Sequence, residues 1–111
     1  MIRVNIVRNA QTRLIQQFTV DGHANYDKSG KDIVCAGVSA VTVGTVNAIE
    51  DLLKVPLELI VKKGLLQAAL PNIEETGKAE KVQLLLEAMV VMLTSIKKTY
   101  TRYLTINEIL E

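Results

Sequence analysis

The first twenty-one residues alternate between apolar and polar positions, which is the pattern of half-buried strands. The polar segment RNAQT interrupts this alternation and indicates a turn. The predicted apolar faces consist of Ile2, Val4 and Ile6 in IRVNIV and of Leu14, Phe18 and Val20 in LIQQFTVD. We therefore predict an antiparallel hairpin at the start of the chain.

The segment DIVCAGVSAVTVGTVNAIEDLLK, residues 32 to 54, is small or apolar on nearly every helical face. Its valines and threonines would also suit strands, but its length and its lack of turn residues favour one helix. Asp32 is a good N-cap residue, and Pro56 prevents the helix from continuing. We predict that this helix is central and buried.

The second half of the chain again predicts a hairpin followed by a helix. LELIVKKGLLQAAL predicts two strands around a Lys-Lys-Gly turn, and PNIEETGKAE predicts a loop. KAEKVQLLLEAMVVMLTSIKKTYTRYL predicts an amphipathic helix. Its apolar face comprises Val82, Leu85, Leu86, Met89, Leu93 and Ile96. The tail TINEILE fits either a short C-terminal strand or a frayed end.

The element order β-β-α-β-β-α indicates an α+β fold, with one antiparallel four-stranded sheet made of two hairpins and two long helices packed on it. The chain has 111 residues, of which 49% are apolar, and it contains no repeats and no linker. These properties predict a single domain over residues 1–111 with a modest core.

Charge and aromatic content argue against two classes of partner. Thirteen basic residues face twelve acidic ones, so the net charge near +1 predicts no strong capture of nucleic acid or of an anionic membrane. Three tyrosines and one phenylalanine are too few for a base-stacking platform. We expect no direct nucleic-acid partner and no membrane partner.

Cysteine use and the N-terminal segment bear on the compartment. One cysteine cannot form an internal disulfide, which favours a reducing environment. The segment MIRVNIVRN carries charges among its apolar residues and lacks a signal-peptide core. The apolar run AMVVML is far shorter than the ~20 residues of a membrane span. These features predict a cytoplasmic protein.

The loop GHANYDKSGK, residues 22 to 31, carries the only histidine, and the only cysteine follows it at the start of the first helix. If Asp32 caps that helix, Cys35 lies in its first turn, where free N–H groups favour a thiolate. The carboxylate of Asp32 competes for the same amides. His23 can supply a positive charge near neutral pH. A thiol and an imidazole form the minimum set for acyl transfer.

The spacing of these residues also allows other interpretations. A lone cysteine at a helix start is often a small core residue, and Asp27 and Asp32 do not complete a known metal-ligand spacing. Ser39 shares the helical face of Cys35, either as a site residue or as a buried hydroxyl bonded to the carbonyl one turn back. Gly22 suits a turn or a strand end.

The motifs GHA and GKDIVCAGVSA resemble the bacterial ribosomal-processing cysteine protease family, known as Prp. The Gly-His pair, the acid three residues before the cysteine and the pattern VCAxVS agree with that family in spacing. The resemblance implies a catalytic dyad of His23 and Cys35, with Gly22, Asp32 and Ser39 as supporting residues. It implies neither a cofactor nor a metal ion.

The resemblance further implies a homodimeric endopeptidase that removes the N-terminal extension of large-subunit ribosomal protein twenty-seven, before or during ribosome assembly. The alternatives are a non-catalytic ribosome-assembly binding module and a redox sensor that uses Cys35. Because His23 lies on the long loop, we also expect the loop to close on substrate and to complete the dyad.

Overall fold

The computed structural model describes residues 1–28 and 30–111. The elements predicted from the pattern are present, and a further strand follows them. In chain order they are β1 (Ile2–Arg8), β2 (Ile15–Asp21), α1 (Ile33–Leu53), β3 (Glu58–Lys62), β4 (Leu65–Ala69), α2 (Thr76–Thr99) and β5 (Leu104–Leu110).

The sheet differs from the predicted one. It has five strands in the order β3-β4-β2-β1-β5, and β5 pairs with β1 in parallel. The predicted four-stranded antiparallel sheet is therefore wrong, and the tail of the chain is a seven-residue strand. Without β5, the outer edge of β1 would expose a row of unpaired N–H and C=O groups. The tail pairs with that edge, from Ile2–Leu104 to Arg8–Leu110.

Both helices lie on one face of the sheet. Each connects two strands that run in the same direction, β2 to β3 through α1 and β4 to β5 through α2. The right-handed crossover that such connections adopt places both helices on the same side here. The strands bury their residues on this face, and the opposite face carries polar side chains such as Asn5, Thr19 and Asn107.

A bulge shifts the apolar face of β2. Val7 pairs with Gln17 and Arg8 pairs with Ile15, so one residue of β2 is left out of the ladder. Ile15 and Phe18 are fully buried, whereas Leu14 is half exposed. The predicted core role of Leu14 is therefore wrong, because the extra residue reverses which side chains face the helices.

Helix α1 is not the central, buried helix that its composition predicts. One face packs in the core through Val34, Val38, Val46 and Ile49, while Val43 and Leu52 on other faces are exposed. Within the described part of the chain, the sheet and α2 pack on the first face, and Val43 and Leu52 stay in contact with solvent. Its mean hydropathy of 1.6 and its length would suit a membrane span, but core helices share these properties.

Helix α2 begins earlier and ends earlier than predicted. Its first residue, Thr76, lies within the predicted loop, and a turn separates Thr99 from β5. Its core face is confirmed: Val82, Leu86, Met89 and Leu93 are fully buried. The nearly buried Arg8 of β1 binds the carboxylate of Glu87 through both guanidinium nitrogens, which fixes α2 on the sheet.

Candidate active site

Asp32 fixes the first turn of α1 and thereby the position of Cys35. Its backbone is extended, and one carboxylate oxygen accepts hydrogen bonds from the N–H groups of Val34 and Cys35, each at 3.0 Å. The other oxygen accepts from the N–H of Tyr26 at 2.9 Å. This one carboxylate therefore caps the helix and also ties it to the loop that carries the histidine.

The pKa of Asp32 lies below the ordinary value of an aspartate. Partial burial acts to raise this pKa, but the hydrogen bonds donated by the N–H groups of Cys35, Tyr26 and Asp27 and by the thiol of Cys35 outweigh burial. Asp32 is consequently a charged acceptor at neutral pH, and the amides at the start of α1 are already occupied by it.

The sulfur of Cys35 has a backbone donor of its own. The N–H of Ala24 points at Sγ over 3.3 Å. Ala24 is buried in the hydrophobic core, which holds this N–H in place. Because a hydrogen bond donated to an anion stabilises it, the amide is placed to stabilise a thiolate. Cys35 itself is half-buried at the edge of the core, so its sulfur is also reachable from solvent.

His23 stands two residues after the end of β2, and its imidazole lies against the tip of the β3–β4 hairpin. Gly22 has a φ of +90° and donates its N–H to the carbonyl of Gly64 at 2.9 Å. A β-carbon placed on Gly64 would lie 3.1 Å from Nε2 of His23. His23 is therefore part of the loop in sequence, but its ring contacts the hairpin tip.

Gly22 has two reasons to be a glycine. Its positive φ is costly for residues with a side chain. A β-carbon at this position would also overlap the carbonyl oxygen of Met1, which is backbone and cannot rotate away. Met1 in turn donates from its amino group to the carbonyl of His23. The start of β1 therefore helps to hold the histidine.

Two adjoining cavities meet at the predicted dyad, and His23, Cys35 and Ser39 line both. The cavity between α1 and the β3–β4 hairpin has a volume of about 400 Å³ and mainly apolar walls. The cavity beside the loop has a volume of about 530 Å³ and is more polar. The apolar walls include Val20, Val38, Thr42, Val43, Val46, Leu59, Val61 and Leu66.

The apolar cavity exists because α1 leaves part of the sheet uncovered. Across the sheet, Leu59 is in register with Ala68 and Phe18, and Val61 is in register with Leu66. These positions all face the helices. Ala68 and Phe18 are fully buried, but Leu59 is 45% exposed and Val61 is 70% exposed. An apolar wall on the core side of the sheet thus stays open to solvent next to the sulfur.

Ser39 is exposed, so the interpretation as a buried, back-bonded hydroxyl is wrong. The hydroxyl of Thr42, in the same helix, bonds to the carbonyl of Val38 at 2.8 Å. The hydroxyl of Ser39 makes no hydrogen bond to any residue that the structure describes, and it lines both cavities. It is available to a bound molecule.

Two contacts that hold the site together could not be recognised from local sequence patterns. The ring of Tyr26 makes edge-to-face contacts with Tyr100 at 5.5 Å and with Tyr103 at 5.1 Å between centroids. The Lys-Lys-Gly turn contacts His23 through Gly64. Both contacts join segments that are distant in sequence. The Lys-Lys-Gly turn was predicted from the sequence, but its contact with His23 was not.

A larger cavity, of about 990 Å³, lies elsewhere, between the β1–β2 turn and the start of α2. Its walls include Leu14, Pro71 and Gln83, and they contain neither the histidine nor the cysteine. We therefore place the candidate active site at the two smaller cavities.

Known proteins with similar sequences identify the family of this chain. The family described as "Cysteine protease Prp" matches residues 1–105. The ribosomal processing cysteine protease Prp of Bacillus subtilis is 35% identical over 96 residues, which are 85% of this chain and 86% of that protein.

Solved structures share the fold. Prp from Staphylococcus aureus, crystallised with a covalently linked product peptide, superimposes with a TM-score of 0.87 at 32% identity, covering 97% of this chain and 99% of that one. The same protease with a substrate peptide gives a TM-score of 0.81 at 31% identity and the same coverage. A Streptococcus mutans protein gives 0.84 at 30% identity, covering 100% and 96%.

Proposed function

The chain belongs to the Prp family of cysteine proteases, and we propose that it removes the N-terminal extension of large-subunit ribosomal protein twenty-seven in the cytoplasm, with Cys35 as nucleophile and His23 as its acid–base partner. The observation that carries this proposal is that both residues line the same two cavities, with the N–H of Ala24 donating to the sulfur. The covalently linked product peptide of the Staphylococcus aureus relative supports a catalytic cysteine.

Acylation uses the thiolate and the imidazolium. The Sγ of Cys35 attacks the carbonyl carbon of the scissile bond, and a C–S bond forms while the carbonyl π electrons move to oxygen. The intermediate collapses when the C–N bond breaks and the imidazolium of His23 gives its proton to the leaving nitrogen. The shortened protein leaves with a new amino terminus, and the extension stays on Cys35 as a thioester.

Deacylation reverses the roles. The neutral imidazole of His23 takes a proton from a water molecule, whose oxygen attacks the thioester carbon. The C–S bond breaks, the sulfur leaves as a thiolate, and the extension is released with a free carboxyl group. The thiolate and imidazolium are then restored for the next cycle.

The oxyanion needs a donor other than the first amides of α1. Asp32 already accepts from the N–H groups of Val34 and Cys35, and its carbonyl accepts from Ala36 at 3.0 Å. The hydroxyl of Ser39 is exposed one turn beyond the sulfur and lines both cavities. We assign it as a donor to the developing oxyanion, a role that serine side chains can fill.

The apolar cavity suits the residues that precede the scissile bond. Leu59 and Val61 offer an open apolar wall opposite Val43 of α1, and the sulfur lies at the end of this groove. Burying one large apolar side chain there would contribute about 1.5–3 kcal/mol to binding. The resemblance to the family implies a pair of phenylalanines before the cleaved bond, and their rings would pack on this wall.

A second copy of the chain is the proposed partner of the exposed helix faces. Leu52 on α1 is 72% exposed, and Leu84 and Val91 on α2 are 69% and 66% exposed. Several large apolar side chains on the outer surface of two adjacent helices are typical of a covered face. We propose that the enzyme is a homodimer.

The test uses the ribosomal protein with its extension intact. Incubation with the enzyme should yield a shortened ribosomal protein, whose mass is lower by the mass of the extension. Incubation with the Cys35→Ala variant should yield no shortened protein. Cys35→Ser serves as the matched control for side-chain size, and it should be almost as inactive because a hydroxyl is a poorer nucleophile. Turnover by Cys35→Ala would refute the assignment of the nucleophile. If the enzyme cleaves another substrate but leaves this extension intact, only the proposed substrate is refuted.

A further inference from the structure

We propose that Gly64, at the tip of the β3–β4 hairpin, is a positioning residue for the imidazole of His23. This inference rests on the proposed role of His23 as the acid–base group. Gly64 lies 41 positions after the histidine in sequence, yet its α-carbon faces the ring directly. It would act on catalysis only through the histidine, because its own atoms carry no acid or base.

The contact is too close for a side chain unless the ring of His23 moves. A β-carbon on Gly64 would lie 3.1 Å from Nε2, 3.7 Å from Cε1 and 3.8 Å from Cδ2 of His23. Ordinary van der Waals contact begins at 3.4 Å, so the nearest ring atom would have to move by a few tenths of an ångström. The atom that would move is a ring nitrogen, which is where an imidazole exchanges protons.

The backbone of Gly64 holds the histidine from a second direction. Its carbonyl accepts the N–H of Gly22, the residue directly before His23, at 2.9 Å. The turn is itself fixed by the ladder of β3 and β4, where Lys62 pairs with Leu65. The turn therefore anchors the backbone next to His23 and borders one side of its ring.

A simpler role for Gly64 is to form the turn. Its φ of +73° lies in the left-handed region, which glycine and asparagine occupy most readily. A turn-only role and a positioning role make different predictions for asparagine. Asparagine relieves much of the backbone strain, but it carries the same β-carbon as alanine toward His23.

The experiment compares Gly64→Ala and Gly64→Asn, each in the parent enzyme and together with His23→Ala. In the parent, both substitutions should lower kcat by about 10- to 100-fold, because small misplacements of a reacting group have effects of this size. KM should stay within about threefold, since Gly64 also lines the apolar cavity but the added β-carbon points at the ring of His23, and the apolar side chains of the walls are kept. In the His23→Ala background neither substitution should lower the rate further, because the group through which Gly64 acts is gone. Where cleavage is too slow to follow, the rate at which iodoacetamide alkylates Cys35 can be compared among the same variants.

The single histidine allows a direct structural readout. In protein labelled at histidine, only one set of imidazole resonances is present, and both Gly64 variants should shift it. Full activity of Gly64→Asn, or unchanged ring resonances, would overturn the positioning role. A further loss in the His23→Ala background would also overturn it and assign Gly64 to the turn or the groove. If His23→Ala alone retains parental activity, the proposed dyad is at fault.

Discussion

The N–H of Ala24 donates a hydrogen bond to Sγ of Cys35 over 3.3 Å, so the residue next to the histidine in sequence contacts the nucleophile in space. The part of the loop around Ala24 is thus held at the sulfur. Asp32 adds a second attachment by accepting the N–H of Tyr26. Closure of this loop on substrate would require both hydrogen bonds to break or to shift.

Amide exchange tests how firmly the loop is docked. The N–H groups of Ala24 and Tyr26 should exchange more slowly than that of the intervening Asn25, because both have acceptors in the active site. The measurement is hydrogen exchange by NMR on the free enzyme. Equally fast exchange of all three amides would instead favour a loop that becomes ordered only when substrate binds.

Replacement of His23 by alanine should lower kcat by about 10²–10⁴-fold, the range typical of a lost acid–base group. The fold should be retained, because the side chain is exposed. The assay is cleavage of the extended ribosomal protein, with circular dichroism as the check on folding. A variant that keeps the parental rate and pH profile would remove His23 from the mechanism.

Replacement of Ser39 by alanine should reduce kcat by about 10²-fold with little change in melting temperature, as for a lost oxyanion donor. Ser95→Ala is the matched control: Ser95 is also exposed on a helix, but its hydroxyl bonds to the carbonyl of Val91 and lies outside both cavities. Similar small effects of the two substitutions would argue against a catalytic contact by Ser39.

Substitution can separate the hydrogen-bonding role of Asp32 as a helix cap from the effect of its negative charge. Asp32→Ala removes the N-cap and should cost about 1 kcal/mol of folding free energy, whereas Asp32→Asn keeps an acceptor and should cost less. The folded-state pKa of Asp32 lies below its ordinary value of 3.8. Its charge therefore stabilises the fold above about pH 4, and this contribution is lost as pH falls through the folded-state pKa.

Urea unfolding of the parent and of Asp32→Asn between pH 2 and 7 tests this sign. The difference in stability between the two proteins should be largest near neutral pH and should shrink in acid. Glu87, whose pKa is also lowered by Arg8, is present in both proteins and cancels in the difference. A gap that widens as the pH falls would contradict the proposed charge state.

Light scattering at micromolar concentration should give about twice the chain mass of 12.2 kDa. Leu52 and Leu84 are exposed in the single chain. If either lies in the dimer interface, replacing it with lysine should produce monomers, because the interface would then have to bury a charge. An active enzyme that stays monomeric at all concentrations would contradict the proposed homodimer.

The local elements and the first turn of α1 could be predicted from the sequence. Alternation over a few residues indicated both hairpins, and the helical spacing of Val82, Leu86 and Met89 indicated the core face of α2. The cap by Asp32, and with it the first-turn position of Cys35, follows from residues three positions apart. These features depend on neighbours along the chain, so a local pattern contains them.

Which distant segments meet could be learned only from the folded chain. The pairing of Ile2 with Leu104 made the tail a parallel strand, and one bulge in β2 exchanged Leu14 for Ile15 in the core. The contact of Gly64 with His23 likewise depends on where two crossovers return the chain to the sheet. Hydrophobic periodicity records which face of a segment is buried, but it carries no information about which partner covers that face.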